Sequence, residues 1–318
     1  MTYKFAVVII NYKTPEMTID CVSSVLSEVH SENAVIVIVD NNSADGSIEK
    51  IEFWIRENNF QDKIFFCKSP KNSGFSGGNN IGISRVQAEY YILLNSDTIV
   101  RSNAFKVMLS TFQLDQRIGF VSPRLEDEDG TGQVSCFRFH SPLSELIKSA
   151  QTGVITKLLS NYDIPIQLTN TLSFPPWTSF ACIAVRAEVI EDIGLMDESY
   201  FLYYEDTDYC RTAHERGWKV ANNPDAHVVH LRGGSAELKS KAKLRQRLPQ
   251  YHFESRRFYF CKFYGRIGFV YANLLWSLGR FISKARELSG NRPRGVSQFE
   301  WLDIWTKKQI NISRKGKK

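Results

Sequence analysis

Tyr90-Tyr91-Ile92-Leu93-Leu94-Asn95-Ser96-Asp97 is an apolar run of strand length that stops abruptly on Asn-Ser-Asp. A run with no polar alternation reads as a parallel strand buried on both faces. Ligands of open α/β sheets bind outside the carboxyl ends of such strands. Asp97 is therefore expected at the lip of a crevice, where a carboxylate can hold a divalent cation. An Asp at a strand end also caps turns, so the surrounding sequence has to decide between the two roles.

Working outward, residues 1–122 alternate strand and helix. Phe5–Asn11, Ala34–Asp40, Lys63–Cys67, Tyr90–Leu94 and Ile118–Ser122 are apolar strand-like runs. Between them, Thr14-Pro15 forms an N-cap and first-turn pair. The helix it opens carries Ile19, Val22, Val25, Leu26 and Val29 on one face. Repeated βα units of this kind predict a doubly wound, mostly parallel α/β sheet. The glycines of 74–78 read as a flexible loop ahead of a helix over 79–88. Beyond residue 122 the alternation lapses. One strand is expected over Phe174–Arg186, a polar helix over Glu205–Arg216, and a short strand over His227–Leu231. Two helices are expected over Ala236–Tyr264 and Ile267–Leu288. The division expected is a catalytic body over 1–235, with halves 1–122 and 123–235, and a basic helical extension over 236–318.

The 318 residues carry a net charge of +6, unevenly spread. Residues 232–318 hold 21 Lys and Arg against 5 Asp and Glu, a balance of +16, whereas residues 1–231 hold 19 against 29. An acidic body with a strongly basic end suggests anionic lipid or another polyanion at that end, and no nucleic-acid partner is expected. The basic end suits an anionic membrane surface, reached through residues 236–290, where Leu274, Leu275, Leu278, Phe281 and Ile282 fall at helical spacing beside Arg280, Lys284 and Arg286. Packing of that helix on the body is the plainer alternative. The six cysteines form no CxxC pair and read as reduced thiols of a cytoplasmic protein. No signal peptide and no run of spanning length are evident.

Three groups of residues carry chemistry. Asn11-Tyr12 and Asp40 end the first two strands, where an aromatic can stack on a base and a carboxylate can accept from a base or ribose. The dinucleotide fingerprint G-x-G-x-x-G is absent after the first strand. Asn72-Ser73-Gly74-Phe75-Ser76-Gly77-Gly78 follows the third strand, and its glycines would let backbone approach a ligand. Glu205-Asp206-Thr207-Asp208 opens a helix after the apolar approach Tyr200–Tyr204. Acids favour helix N-termini in any case, but carboxylates partly buried beside aromatics are tuned toward general bases. In His227-Val228-Val229-His230 the two imidazoles face opposite sides of a strand, so they would not chelate one metal.

In this order and spacing, VVIINYKTPE, VDNNSADGS, NSGFSGGNNIGI, ILLNSDTIV, FLYYEDTDYCRTAHERGW and HVVHLRGGS resemble the inverting family 2 glycosyltransferases of the GT-A fold, in their rhamnosyltransferase-like subgroup. The resemblance covers residues 5–235. It implies that Tyr12 and Asp40, with Asn11, Asn72, Gly74, Gly77 and Ser96, line the pocket of a nucleotide-sugar donor. It implies Mg²⁺ or Mn²⁺ on Asp97, with His230 as second ligand, and Asp206 as the base, with Glu205 as its close rival. Trp177 would border the sugar. The acceptor implied is a glycan or a polyprenyl-diphosphate-linked glycan at the inner face of the cell membrane, in cell-surface polysaccharide synthesis. A catalytically inactive nucleotide- or carbohydrate-binding protein on the same scaffold, and a transferase with a UDP-hexose in place of a dTDP-rhamnose donor, are the competing readings. Where many relatives carry Asp-x-Asp, this chain has Asn95-Ser96-Asp97, so the cation would rest on Asp97, His230, water and substrate.

Overall fold

The computed structural model describes residues 2–29, 32–232, 241, 244–290 and 296–306. They form two compact units. The first comprises Met1–Phe139, Ile164–Glu198 and Glu205–Ala236. The second comprises His140–Asp163, Ser199–Tyr204 and Glu237–Lys318. A single cut after residue 235 does not express this division, because two internal segments group with the C-terminal residues.

The first unit is built on an eight-stranded sheet. In chain order the strands are β1 (Tyr3–Asn11), β2 (Ala34–Asp40), β3 (Ile64–Lys68), β4 (Ala88–Asn95), β5 (Thr98–Val100), β6 (Ile118–Glu126), β9 (Cys182–Arg186) and β10 (Lys219–His230). The two-residue strands β7 (Cys136–Phe137) and β8 (Trp177–Thr178) pair separately. The spatial order is β3-β2-β1-β4-β9-β6-β10-β5. β3, β2, β1 and β4 run parallel, as do β6 and β10, while β9 and β5 run against their neighbours. The continuous apolar runs follow from burial on both faces. Phe5, Val7, Ile9, Ile36, Ile38, Ile92 and Leu94 enter one core cluster, and Ala6, Val8, Val35, Val37, Val39 and Leu93 enter the other.

Helices α1 (Pro15–Val29), α2 (Ser47–Glu57), α3 (Gly74–Arg85), α4 (Ala104–Thr111), α7 (Ala187–Ile193) and α8 (Glu205–Glu215) belong to this unit. α3 corrects the expected flexible loop, since it begins at Gly74 and takes in every glycine of the stretch. The glycines serve close packing. A Cβ at Gly78 would lie 2.9 Å from Ile10 Cδ1, and one at Gly82 would lie 2.3 Å from Val8 Cγ1. The strand expected over Phe174–Arg186 is split into β8 and β9. β10 begins eight residues earlier than His227, with Pro224 at a register shift between Asn223 and His227.

In the second unit, α5 (Pro142–Ala150) starts from a Ser141 cap that accepts from the Ser144 amide at 3.2 Å. After it come α6 (Gly153–Leu158), the long α9 (Gln250–Leu288) and the short α10 (Glu300–Asp303). α9 is interrupted at Gly265, whose φ of +69° leaves the helical region and marks the expected break between two helices. The expected start of the first, at Ala236, lies outside the described residues. Arg256 and Glu145 form a buried ion pair at 3.0 Å, and Arg256 also donates to Asn273 Oδ1 at 2.7 Å.

Candidate active site

The carboxyl ends of β1, β2 and β4 stand side by side, because Asn11 pairs with Asp40 and Ile10 with Asn95 in parallel register. After Asn95 the chain turns through Ser96-Asp97 and reverses into β5, which pairs antiparallel with β10 so that Thr98 stands opposite His230. The Leu231 amide donates to the Asp97 carbonyl at 2.9 Å. This ladder brings two distant residues together: His230 Nε2 lies 3.6 Å from Asp97 Oδ1, with both side chains buried. Gln133 Nε2 donates to the His230 carbonyl at 2.8 Å and pins the strand end. A carboxylate oxygen and an imidazole nitrogen so close together are a donor set for Mg²⁺ or Mn²⁺. Among the described residues no cluster of three or more His, Cys, Asp or Glu forms a fuller cage. The remaining coordination positions would fall to substrate oxygens and water.

The other histidine of the pair behaves differently. His227 Nδ1 is 2.9 Å from Glu126 Oε2, and Arg101 Nε donates to Glu126 Oε1 at 3.2 Å. Burial works to raise the Glu126 pKa, but these two partners outweigh it and hold the carboxyl below its ordinary value. His227 thus has a structural acid, and the two imidazoles do not share a ligand.

At the ends of β1 and β2, Asn11 Nδ2 donates to Asp40 Oδ1 at 2.7 Å. Ser43 adds its hydroxyl to the same oxygen at 2.6 Å and its amide to Oδ2 at 3.1 Å. Asn11 and Asp40 are both fully buried. Both carboxylate oxygens of Asp40 thus accept hydrogen bonds from within the protein. Tyr12 is the exposed member, 43% accessible, with the Lys13 ammonium 5.3 Å from its ring centre. Ser96 Oγ is 3.2 Å from Thr14 Oγ1, which ties the β4 turn to the start of α1.

Asn41 is a residue that sequence reasoning missed. Its Nδ2 donates to Asn72 Oδ1 at 3.1 Å and to the Gly74 carbonyl at 2.9 Å, and its Oδ1 accepts from the Ser73 amide. Asn72 in turn accepts from the Gly74 amide at 3.0 Å. Asn41 and Asn72 together hold the start of α3 against the β2 end. Gly77 faces Ser73, whose Cβ would lie 2.5 Å from an added methyl. Gly74 and Gly77 are therefore parts of a packed helix start and not of a flexible loop.

The acidic pair opens α8, as expected. Asp206 Oδ1 accepts from the Thr207 amide at 2.7 Å, and its carboxylate also takes a backbone hydrogen bond at Phe180. Burial pushes Asp206 up to about 6 against these stabilising bonds. Glu205 is raised well above the ordinary range by burial first and by the neighbouring Asp206 charge second. Its Oε2 is buried with no hydrogen-bond partner among the described residues. Tyr203 and Tyr204, immediately before, both adopt φ of +70°, a left-handed conformation that is costly for residues with a Cβ. Asp208 is buried, and its Oδ1 accepts from the Thr212 hydroxyl at 3.3 Å.

A short chain of bonds links this pair to the Asp97 turn. The Asn95 amide donates to the Ala181 carbonyl at 2.9 Å, and Phe180, the residue before, bonds Asp206. Trp177 lies at the start of the same segment. It stacks on Phe137 at 4.5 Å and donates its indole N–H to the Arg138 carbonyl at 2.9 Å. Trp177 is largely buried, at 8% exposed.

Comparison with known proteins bears on the fold and the family. The chain is 24% identical over 229 residues to the low-salt glycan biosynthesis hexosyltransferase Agl10 of Haloferax volcanii, covering 71% of this chain and 66% of that protein. It is 25% identical over 216 residues to the dTDP-rhamnosyl transferase RfbF of Shigella flexneri, covering 66% of this chain and 64% of that one. The chain thus spans slightly less than two thirds of these relatives' lengths. The mannosyltransferase PcManGT of Pyrobaculum calidifontis, solved with GDP-Man and Mn²⁺, shares the fold with a TM-score of 0.59 at 11% identity, over 91% of this chain and 75% of that one. The family model described as glycosyltransferase like family 2 matches residues 3–248, most of the chain, and the protein belongs to that family.

Proposed function

We propose that this protein is an inverting glycosyltransferase that moves a hexosyl group from a nucleotide-sugar to a hydroxyl of a glycan or lipid-linked glycan. The observation that carries the reading is the pairing of Asp97 with His230 at 3.6 Å beside a strand end that is bonded, through Ala181 and Phe180, to the Asp206 segment. One site thus offers a cation-binding pair and a carboxylate of raised pKa. A binding protein without catalysis would have no use for the second.

The donor would lie along the ends of β1, β2 and β4, its base against exposed Tyr12 and its diphosphate toward Asp97 and His230. A bound Mg²⁺ or Mn²⁺ supplies Lewis-acid stabilisation of charge on the departing diphosphate. Inversion requires a single in-line displacement with one base on the acceptor side. Asp206 fits that role. The environments of the two acids differ, and such a difference separates proton-holding from proton-accepting groups. Glu205, without a bonding partner at Oε2, keeps its proton. Asp206, held by the Thr207 and Phe180 backbone, ionises near neutrality and accepts the acceptor hydroxyl proton while that oxygen attacks the anomeric carbon and the nucleoside diphosphate leaves.

A dTDP-linked rhamnose is the favoured donor, on the likeness to RfbF; a UDP-hexose is the alternative. The setting is cell-surface polysaccharide synthesis at the cytoplasmic face of the membrane. Among the described residues no helix is long and apolar enough to cross a membrane. A thermal-shift screen of nucleotide sugars with Mn²⁺, followed by NMR of the anomeric configuration in the product, tests the reading. A retained configuration, or stabilisation by no nucleotide sugar, would overturn it.

A further inference from the structure

Helix α9 buries one face inside the second unit, through Phe269, Ala272, Asn273, Trp276, Gly279 and Ser283. Gly279 sets that orientation. A Cβ there would lie 2.1 Å from Ser149 Oγ and 2.7 Å from the Leu146 carbonyl oxygen, so α9 crosses α5 at backbone contact. The opposite face is thereby turned outward. From Ile267 to Phe281 its exposed positions are Ile267, Val270, Tyr271, Leu274, Leu278 and Phe281, with Ser277 as the polar member and no charge. Ile267 is 87% and Phe281 71% exposed. An unbroken apolar stripe over four turns is far more than scattered surface hydrophobics require.

A second observation lies in the same unit. Phe299, Trp301, Leu302 and Trp305 are all exposed. Their segment is tied to α9, since Asn273 Nδ2 donates to the Ile304 carbonyl at 3.0 Å and Trp305 meets Phe269 edge-on at 6.5 Å. Tryptophan is the side chain most at home at a membrane–water boundary. Charge decides the occupant. Lys262, Arg266 and Lys284 flank the stripe as exposed cations, and the sequence 307–318 holds six Lys and Arg with no acid. A second copy could match the three-four spacing of the stripe, but it would bring the same +16 segment and be repelled. An anionic lipid surface is attracted by it.

We propose that this face docks in the plane of an anionic phospholipid bilayer, with the apolar stripe and the two tryptophans in the headgroup boundary. The inference does not depend on the sugar chemistry proposed above, though it would give a lipid-linked acceptor its meeting surface.

Flotation of the full chain with phosphatidylcholine vesicles, with and without phosphatidylglycerol, tests it. The chain should float with the anionic vesicles, and less so at high salt. Combined Leu274→Asp, Leu278→Asp and Phe281→Asp substitutions should lower the bound fraction on the order of a hundredfold. All three sites are exposed, and Leu278→Asp alone, checked by circular dichroism, guards against a folding effect. Failure of the wild-type chain to float, or equal flotation of the triple variant, would overturn the proposal. So would a dimer broken by the same substitutions in a chain that ignores vesicles. Flotation by a chain that transfers no sugar would sink the transferase reading and leave the docking intact.

Discussion

Asp97 Oδ1 and His230 Nε2 stand 3.6 Å apart because β5 reverses the chain straight after the β4 end and pairs with β10. The first acid of an Asp-x-Asp pair is absent here, and under the proposed function His230, at the end of β10, would take the partner position. Asp97→Ala and His230→Ala should each weaken Mn²⁺-dependent nucleoside diphosphate binding roughly ten- to hundredfold, the loss expected for one charge-assisted contact. Calorimetric titration of each variant checks this, and unchanged affinity would remove that residue from the cation site.

Asp206→Asn should leave donor binding intact and lower kcat by roughly a hundred- to ten-thousandfold, the usual worth of a positioned base. Glu205→Gln should cost far less, since glutamine resembles the protonated form that the buried site favours. A reversed order of the two effects in steady-state kinetics would hand the base role to Glu205.

The same burial predicts the pH profile. Asp206 is raised to about 6, so kcat/KM should fall as pH drops through that value and the base takes up its proton. Stability runs the opposite way. A carboxyl whose folded pKa is raised binds more protons folded than unfolded, so its contribution declines as pH rises from the ordinary acid range through the folded value. Glu205→Gln removes the stronger of the two effects. The variant should exceed the wild type in Tm at pH 8, with the gap closing toward pH 4. A gap that is constant with pH would contradict the burial argument.

Gly82→Ala should destabilise the fold by about 1–3 kcal/mol, the range for overpacking a close contact, since its Cβ would meet Val8 at 2.3 Å. Gly46→Ala should also destabilise, through its φ of +86° rather than through any clash, because nothing lies near its Cβ. Chemical denaturation measures both. A neutral Gly82→Ala would contradict the close contact between Gly82 and Val8.

Arg256→Ala should cost about 3–5 kcal/mol by stranding buried Glu145, whereas Arg256→Met combined with Glu145→Leu should recover much of it. A double variant no more stable than Arg256→Ala would show that the geometry with Asn273, not charge, is what matters.

Much of this was legible in the sequence for a physical reason. Strands buried on both faces leave an unbroken apolar run, so β1, β2 and β4 and the polar residues Asn11, Asp40 and Asn95 at their ends could be placed from residues alone. Asp97, His230 and the Glu205–Asp206 pair each had an ordinary structural reading as a turn cap, a strand residue or a helix start, and only the family resemblance of the flanking strings singled them out. The glycines of α3 misled because helix–sheet contact and loop freedom demand the same residue. β10 was cut short because Asn222-Asn223-Pro224 has the composition of a turn, while the structure absorbs the proline at a register shift. Asn41 gave no signal, since its role depends on Asn72 and Gly74 arriving beside it in space. The grouping of His140–Asp163 and Ser199–Tyr204 with the C-terminal residues rests on long-range packing that periodicity does not encode.

The most direct test of the central claim is calorimetric titration of dTDP and UDP into the wild-type chain with Mn²⁺ and then with excess chelator. The account predicts binding with Mn²⁺, loss of most of that affinity in chelator, and little difference between the two conditions once Asp97 is alanine. Equal affinity of the wild-type chain in Mn²⁺ and in chelator would contradict it.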